Sequence, residues 1–403
     1  MRVSAAIRLA ALALAGAALA ASAGCGTRAL TANTTGAGAT GGSGVIGIDA
    51  GPGTDGAFQP TRDVDMLFMI DNTAGRLVQD NLMRNFPTFT EALRSLPGGL
   101  PNLHIAVVTS DLGAGDGSIS GCAADGGDAG IFKYTARGTC TTSGLDPGAT
   151  FISDVDGVKN YAGNISDVFT CIGAVGESGC GFEQPLAAVA RALGADGRPM
   201  PAENQGFLRP DALLFIVLLT DEDDCSVPPG SALFDTTSNR TLASQLGPPS
   251  GFRCNEFGHL CNGVKPPRLA PTGSVNDVVT LDGCRSAEGA GMLTPLATLR
   301  AQIRSLKPFP DQQILVAAIA GPGAPYTIEW RNPSAGDTGP WPVIDHSCTA
   351  PDGSFATPAV RINEFASSFG ANGQASNICV DSFAPILSSF AAQIAAHIPG
   401  LQQ

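Results

Sequence analysis

The chain has 403 residues, with 23 Lys and Arg against 36 Asp and Glu for a net charge of -13, and 43% of it is hydrophobic. So acidic a balance argues against nucleic acid or an anionic surface as a partner reached through basic side chains, and makes cations the expected guests. The 51 Gly and 29 Pro divide the apolar material into one large core or two modest ones joined by many loops. In chain order, the first element is an export signal over residues 1–24. Arg2 and Arg8 frame a positive start, and an apolar stretch from Leu9 to Ala20 follows. That stretch is too short for a comfortable transmembrane helix. Residues 25–62 are dominated by Gly, Thr, Ala and Ser, which predicts a flexible tether spanning about 35 Å.

From residue 63 to 398 the pattern alternates between strand and helix. Met66 to Ile70 reads as a buried strand, Leu82, Phe86, Phe89, Leu93 and Leu96 recur at helical spacing, and the run from Leu103 to Asp111 is a second strand. Pro87 is expected to kink or delay that first helix. Phe182, Leu186, Val189 and Leu193 mark a further helix before the apolar run from Ala212 to Thr220. Leu293, Leu296, Leu299, Ile303 and Leu306 mark another, leading into the strand from Gln313 to Gly321, and a helix from Ala384 to Ile398 closes the chain. This order predicts an α/β fold: a doubly wound, mainly parallel sheet with helices on both faces in three layers. Two cysteine-bearing stretches without periodicity, near 113–148 and 225–291, read as disulfide-stapled loop insertions.

The eleven cysteines are an odd number. Cys25 closes the export signal in Ser22-Ala23-Gly24-Cys25, an ending that resembles a bacterial lipobox at its last three positions and departs from it at Ser22. Cys25 is therefore the expected lipid-attachment site, with cleavage by an ordinary signal peptidase as the alternative. Gly26 behind it, where Asp would retain a lipoprotein in the inner membrane, resembles sorting to the outer membrane. The remaining ten cysteines can form five disulfides, the default in an exported protein. A zinc site is disfavoured, because no C-x-x-C pair exists and His104, His259, His346 and His397 are scattered. Short spacing favours Cys171 with Cys180 and Cys122 with Cys140.

Two apolar runs end in acid: Met66 to Ile70 stops at Asp71, and Ala212 to Thr220 stops at Asp221, followed by Glu222, Asp223 and Asp224. In a parallel sheet both ends lie on the carboxyl edge, where ligands bind. Carboxylates gathered there need a cation, a shared proton or a basic partner. The stretches "MIDNTAG" and "VLLTDEDDCS" resemble the von Willebrand factor A (vWA) family, and in particular its bacterial exported members with "GCGFEQPL" and "LTDEDDCS" motifs. The resemblance covers roughly residues 62 to 395. It implies one divalent ion, Mg²⁺, Mn²⁺ or Ca²⁺, in a metal-ion-dependent adhesion site, with an acidic side chain of a partner often completing the coordination. On this sequence the motif falls on Asp71, Thr73 and Asp221. Gly75 stands where a second Ser belongs, and Glu183 replaces the family's separate Thr, with Ser178 the weaker choice. Taken singly, Asp71 and Thr73 could be helix-capping residues and Glu183 a first-turn acid. Glu222, Asp223, Asp224 and Asp111 read as a solvated rim outside the site.

The expectation from these residues is a non-enzymatic envelope lipoprotein that holds a protein or cell-surface ligand through its ion. One alternative is a structural envelope lipoprotein with a decayed metal site. Another is a metal-assisted hydrolase using Asp71 and Asp221 around an activated water. The hydrolase lacks an H-E-x-x-H, a G-x-S-x-G or a phosphate-binding glycine loop.

Overall fold

The computed structural model describes residues 58–399 apart from 116–118, 120, 123–125, 238–240 and 334–338. The export signal, Cys25 and nearly all of the tether lie outside the described residues. β1 (Asp63–Ile70), α1 (Arg76–Arg94) and β2 (Asn102–Thr109) come where the periodicity put them. The chain then returns through β3 (Ile152–Val155) and β4 (Val158–Lys159) to α2 (Ile165–Gly173) and α3 (Pro185–Ala192). β5 (Leu213–Leu219) carries the second acidic end. The insertion behind it holds α4 (Phe252–Gly258), β6 (His259–Cys261), β7 (Val278–Leu281) and β8 (Cys284–Ser286). α5 (Leu296–Arg304), the short α6 (Pro310–Gln313) and β9 (Ile314–Ala320) resume the alternation. β10 (Tyr326–Arg331), β11 (Trp341–Ile344), β12 (Cys348–Thr349), β13 (Phe355–Ala356), α7 (Val360–Ser367), β14 (Gly373–Asn377) and α8 (Ala384–Ala395) complete the order.

The main sheet has the strand order β14-β9-β5-β1-β2-β3-β4. Its strands are parallel from β14 to β2, and β3 and β4 are antiparallel. Successive strand side chains face opposite ways, so each central strand feeds two cores. Met66, Phe68 and Ile70 pack with Phe86 and Phe89 of α1, Phe169 of α2 and Phe390 of α8. Leu67 and Met69 pack with Val189 of α3, Ile303 of α5 and Phe365 of α7. Burial on both faces explains why β1 and β5 read as unbroken apolar runs rather than alternating ones. Each such side chain contributes about 1.5–3 kcal/mol on burial. α1 runs through Pro87, and Phe86 stacks on Phe169 with ring centroids 3.7 Å apart.

Several expectations need correction. All ten described cysteines are bridged, but as Cys122–Cys180, Cys140–Cys171, Cys225–Cys254, Cys261–Cys284 and Cys348–Cys379. Neither short-range pair forms. Cys171 is fixed in α2, where its carbonyl accepts Arg137 N–H, while the neighbouring Gly179 N–H ties the Cys180 segment to the Asn72 carbonyl at the sheet edge. Phe182 and Leu293 precede α3 and α5 rather than lying on them, because Pro185 opens the one helix and Pro295 caps the other. Both side chains join a third core with Cys225, Cys254 and Phe234 inside the insertion. A second sheet, β11-β10-β7, also lies outside what periodicity showed. Its central strand buries Tyr326, Ile328 and Trp330, and the Trp330 indole N–H donates to the Arg268 carbonyl at 2.9 Å.

Candidate functional site

The two acidic ends meet. β1 and β5 are adjacent with Ile70 opposite Leu219, and Asp71 N–H donates to the Leu219 carbonyl at 2.9 Å. On the other side Ile70 pairs with Thr109 of β2, which sets Ser110 beside Asp71. The buried Asp71 carboxylate is held by four donors. Oδ1 accepts from Thr73 N–H at 2.9 Å, the Thr73 hydroxyl at 2.7 Å and the Ser110 hydroxyl at 3.0 Å, and Oδ2 accepts from the Thr220 hydroxyl at 2.8 Å.

Glu183 reaches the same point from the segment before α3. That segment is pinned by Gln184 N–H to the Ser110 carbonyl and by Cys225 N–H to the Glu183 carbonyl. The Thr73 hydroxyl lies 2.9 Å from Glu183 Oε1 as well as 2.7 Å from Asp71 Oδ1. It has one proton, so it serves one carboxyl fully and leaves the other short of a donor. Asp221 Oδ2 accepts from Gly75 N–H at 3.3 Å, at the amino end of α1, where negative charge is favoured. The structure thus brings Thr73, Asp71 and Glu183 together and sets Asp221 near enough to Asp71 for the two charges to act on each other, whereas Ser178 is exposed.

Glu222 requires a correction. It is not a solvated rim residue: its N–H donates to the Thr220 hydroxyl at 3.1 Å, and this turn brings its carboxyl into contact with that of Glu183. Asp223 and Asp224, unlike the half-buried Glu222, are buried, and their oxygens are already partnered. Asp223 accepts from His259 Nε2 at 2.7 Å and from the Arg361 and Ile362 amides, and Asp224 accepts from the Arg361 guanidinium at 3.0 Å. Asp111 is buried too, and it accepts from Gly113 N–H at 2.7 Å. Ser110, Thr220 and Glu222 are the members that sequence reasoning missed. For the two hydroxyls the available signal was position, each lying one residue beyond the end of a parallel strand.

No ion pair among the described residues includes Asp71, Glu183, Asp221 or Glu222. Arg76, the nearest base in sequence, pairs instead with Asp80 at 3.6 Å. Burial raises the Asp221 carboxyl to about 8, with the charges of Asp71 and Glu222 adding to it. Burial and then Asp71 raise Glu222 to about 7, and burial, Glu222 and Asp71 push Glu183 well above the carboxyl range. Among the described residues no three His, Cys, Asp or Glu side chains already form a metal-holding group. The mutual pKa shifts bear more directly on the chemistry, because carboxyls that repel one another draw together around a cation and a count of acids omits the hydroxyl of Thr73. The donors are all hard oxygens, which fits Mg²⁺, Mn²⁺ or Ca²⁺ and not a softer metal.

These shifts set a pH dependence. A carboxyl whose folded pKa lies above its unfolded value near 4 keeps its proton only in the fold, so its stabilisation is complete at low pH and is lost as pH rises through the folded pKa. Chelator-treated protein is expected to lose melting temperature as pH rises from about 4 to about 8, that is from the unfolded carboxyl value to the folded values of Glu222 and Asp221, and to level off above that. Glu222→Gln should flatten that slope. An equal slope in the variant would show that Glu222 does not contribute to it.

No protein-family model matches the chain, and no curated protein does. Among solved structures it is similar to the pilus adhesin SpaC from Lactobacillus rhamnosus GG in an open conformation, at 11% identity and TM-score 0.31, over 84% of this chain and 30% of that one. It is similar to the pilus adhesin RrgA from Streptococcus pneumoniae, at 10% identity and TM-score 0.31, over 84% of this chain and 45% of the other. A mutant of the PilB minor pilin from Streptococcus sanguinis matches at 11% identity and TM-score 0.28, over 84% and 61%. The chain thus spans less than two thirds of each of these proteins. Likeness at this level leaves function to be read from the site.

Proposed function

We propose that the chain is an exported, lipid-anchored envelope protein whose vWA-like domain binds a protein or surface ligand through one divalent cation at the carboxyl edge of its sheet. The observation that carries this reading is the Thr73 hydroxyl shared between Asp71 and Glu183, with Asp221 and Glu222 close enough for their charges to act on these acids and no ion pair at any of the four among the described residues. Like charges gathered in a buried place are costly unless neutralised. Asp71, Thr73, Asp221 and Glu183 would hold the ion, with Glu222 beside them. The ion would supply neutralising charge to these acids and a Lewis-acidic contact for a ligand oxygen. Membrane attachment through Cys25, and the outer membrane as its address, rest on the sequence of the export signal.

The test is thermal. A bound ion adds about 2.7 kcal/mol at a hundredfold excess over its dissociation constant, so Mg²⁺, Mn²⁺ or Ca²⁺ should raise the melting temperature of chelator-treated protein. Asp71→Ala and Asp221→Ala should each abolish the rise. Calorimetry showing no binding of any of the three ions at millimolar concentration would defeat the reading.

Gly75 favours a second reading, a decayed site, because it removes one hydroxyl ligand. The position can take one back: a Cβ there meets nothing within 4 Å, and its φ of -53° is ordinary for any residue. Gly75→Ser is expected to tighten ion binding by about tenfold, an added neutral ligand contributing on the order of 1 kcal/mol. Binding by the variant alone, with none by the wild type, would establish decay.

A further inference from the structure

The second sheet, in the order β11-β10-β7, leaves β7 (Val278–Leu281) paired on one side only. Of the four edge strands of the two larger sheets, three carry features that keep other chains from adding to them. β4 has Lys159, β11 has Pro342, and β14 offers only Gly, Ala and polar side chains. β7 reads Val-Val-Thr-Leu, with neither charge nor proline. Among the described residues no hydrogen bond from outside the sheet reaches any residue of β7.

The strand is anchored on its inner face, where Val279 and Leu281 pack against the core of Tyr326, Ile328 and Trp330 but stay half-buried. The rim of that core is therefore open on the β7 side. Val278 faces outward, 59% exposed, and Val264, Leu269 and Val275 lie exposed in the segment that leads to it. These are four of the eight large apolar side chains exposed among the described residues, and such a concentration marks an interaction surface rather than ordinary scattered exposure. An added strand would pair the free backbone groups of β7 and lay alternate side chains over the open rim.

Charge decides which strand fits. Asp277, whose carboxylate holds the turn at Thr272, precedes β7, and the exposed Asp282 follows it. A second copy of β7 paired antiparallel over its full length would set Asp277 opposite Asp282 at both ends, and like charges directly opposite one another destabilise a sheet. A strand with Lys or Arg at its ends makes opposite-charge pairs there instead. We propose that β7 takes up an extended segment of a protein partner, apolar at its centre and basic at its ends, as a fourth strand of the second sheet. The inference goes beyond the ion site and needs no metal.

The experiment titrates acetyl-Lys-Thr-Val-Thr-Val-Lys-amide into ¹⁵N-labelled protein and follows the amide signals of Val278, Val279, Thr280 and Leu281. Two control peptides carry Glu at both ends, or N-methyl groups throughout, which prevent a ladder from forming. The Lys-ended peptide should give saturable shifts, with chelator and with Mg²⁺ alike. Glu at both ends should weaken binding by about fivefold, and N-methylation should abolish it. Asp282→Lys, at an exposed position, should weaken the Lys-ended peptide by a similar factor and improve the Glu-ended one. The proposal is overturned if either control binds as well as the Lys-ended peptide, if Asp282→Lys leaves both affinities unchanged, or if no peptide binds. Shifts in β7 that grow with protein concentration alone, together with a dimer in sedimentation, would give the edge to a second copy. Shifts seen only with phosphatidylglycerol vesicles would give the patch to a lipid surface, and either result overturns the proposal as well. The response of the melting temperature to ions is untouched by all of these outcomes, so the ion site stands or falls by its own test.

Discussion

Arg361→Met is expected to destabilise the folded protein by about 3–5 kcal/mol, the usual cost of leaving a buried charge unpaired. Arg361 is 1% exposed. Its guanidinium donates to Asp224 Oδ2 at 3.2 and 3.0 Å, to the Ser286 hydroxyl at 2.8 Å and to the Thr294 carbonyl at 2.7 Å. One side chain thus ties the acidic run after β5 to β8 and to the segment before α5. Met removes the charge but keeps most of the volume, so the loss reports the uncompensated Asp224 carboxylate rather than a cavity. The double variant Arg361→Met with Asp224→Asn should recover much of the stability, since the remaining cost is that of neutral hydrogen bonds. Urea denaturation measures both. A loss below about 1 kcal/mol in the single variant would mean that the pair is no stronger than an exposed one.

Removing the Cys225–Cys254 bridge by Cys225→Ser with Cys254→Ser is expected to cost about 3.6 kcal/mol, the loop-closure value for a separation of 29 residues. Functional damage should exceed that of any other bridge. Cys225 directly follows the acidic run, its N–H holds the Glu183 carbonyl at 2.8 Å, and Cys254 sits in α4 beside Phe252. The rise in melting temperature with divalent ion should therefore shrink in this variant. The corresponding Ser pair at Cys348 and Cys379 should lose stability but keep its response to ions. An undiminished response in the Cys225 variant would show that the insertion does not hold the site together.

The sheet and two of its acidic ends were legible because β1 and β5 are buried on both faces, which makes them uninterrupted apolar runs, and because each stops at an acid. Asp71 and Asp221 followed from that pattern alone, and Glu183 from the likeness of its surroundings to a known motif. Glu222 was not legible. Its position depends on a turn in which the Thr220 hydroxyl takes its N–H, and a run of four acids reads the same whether it faces water or folds back. Asp223 and Asp224 were misread for a related reason. Their partners His259 and Arg361 lie 36 and 137 residues further on, beyond any local pattern. The bridge pairing failed because spacing along the chain is not distance in space once Cys171 is fixed in a helix. The second sheet escaped notice because β7 and β11 have four residues each and are only partly buried.

The five bridges are arranged without crossing. Cys140–Cys171 nests inside Cys122–Cys180, and Cys225–Cys254, Cys261–Cys284 and Cys348–Cys379 follow one after another. A chain that emerges amino end first into an oxidising space can therefore close each bridge as soon as that bridge's own segment is out, without waiting for a distant cysteine. The main sheet cannot be completed so early, because β5 lies between β1 and β9, and β14, almost the last element, borders β9. For the last three bridges the order of emergence offers each thiol its own partner first, whereas Cys122 and Cys140 are both out before Cys171 and Cys180, so that nested pair depends on the fold to choose.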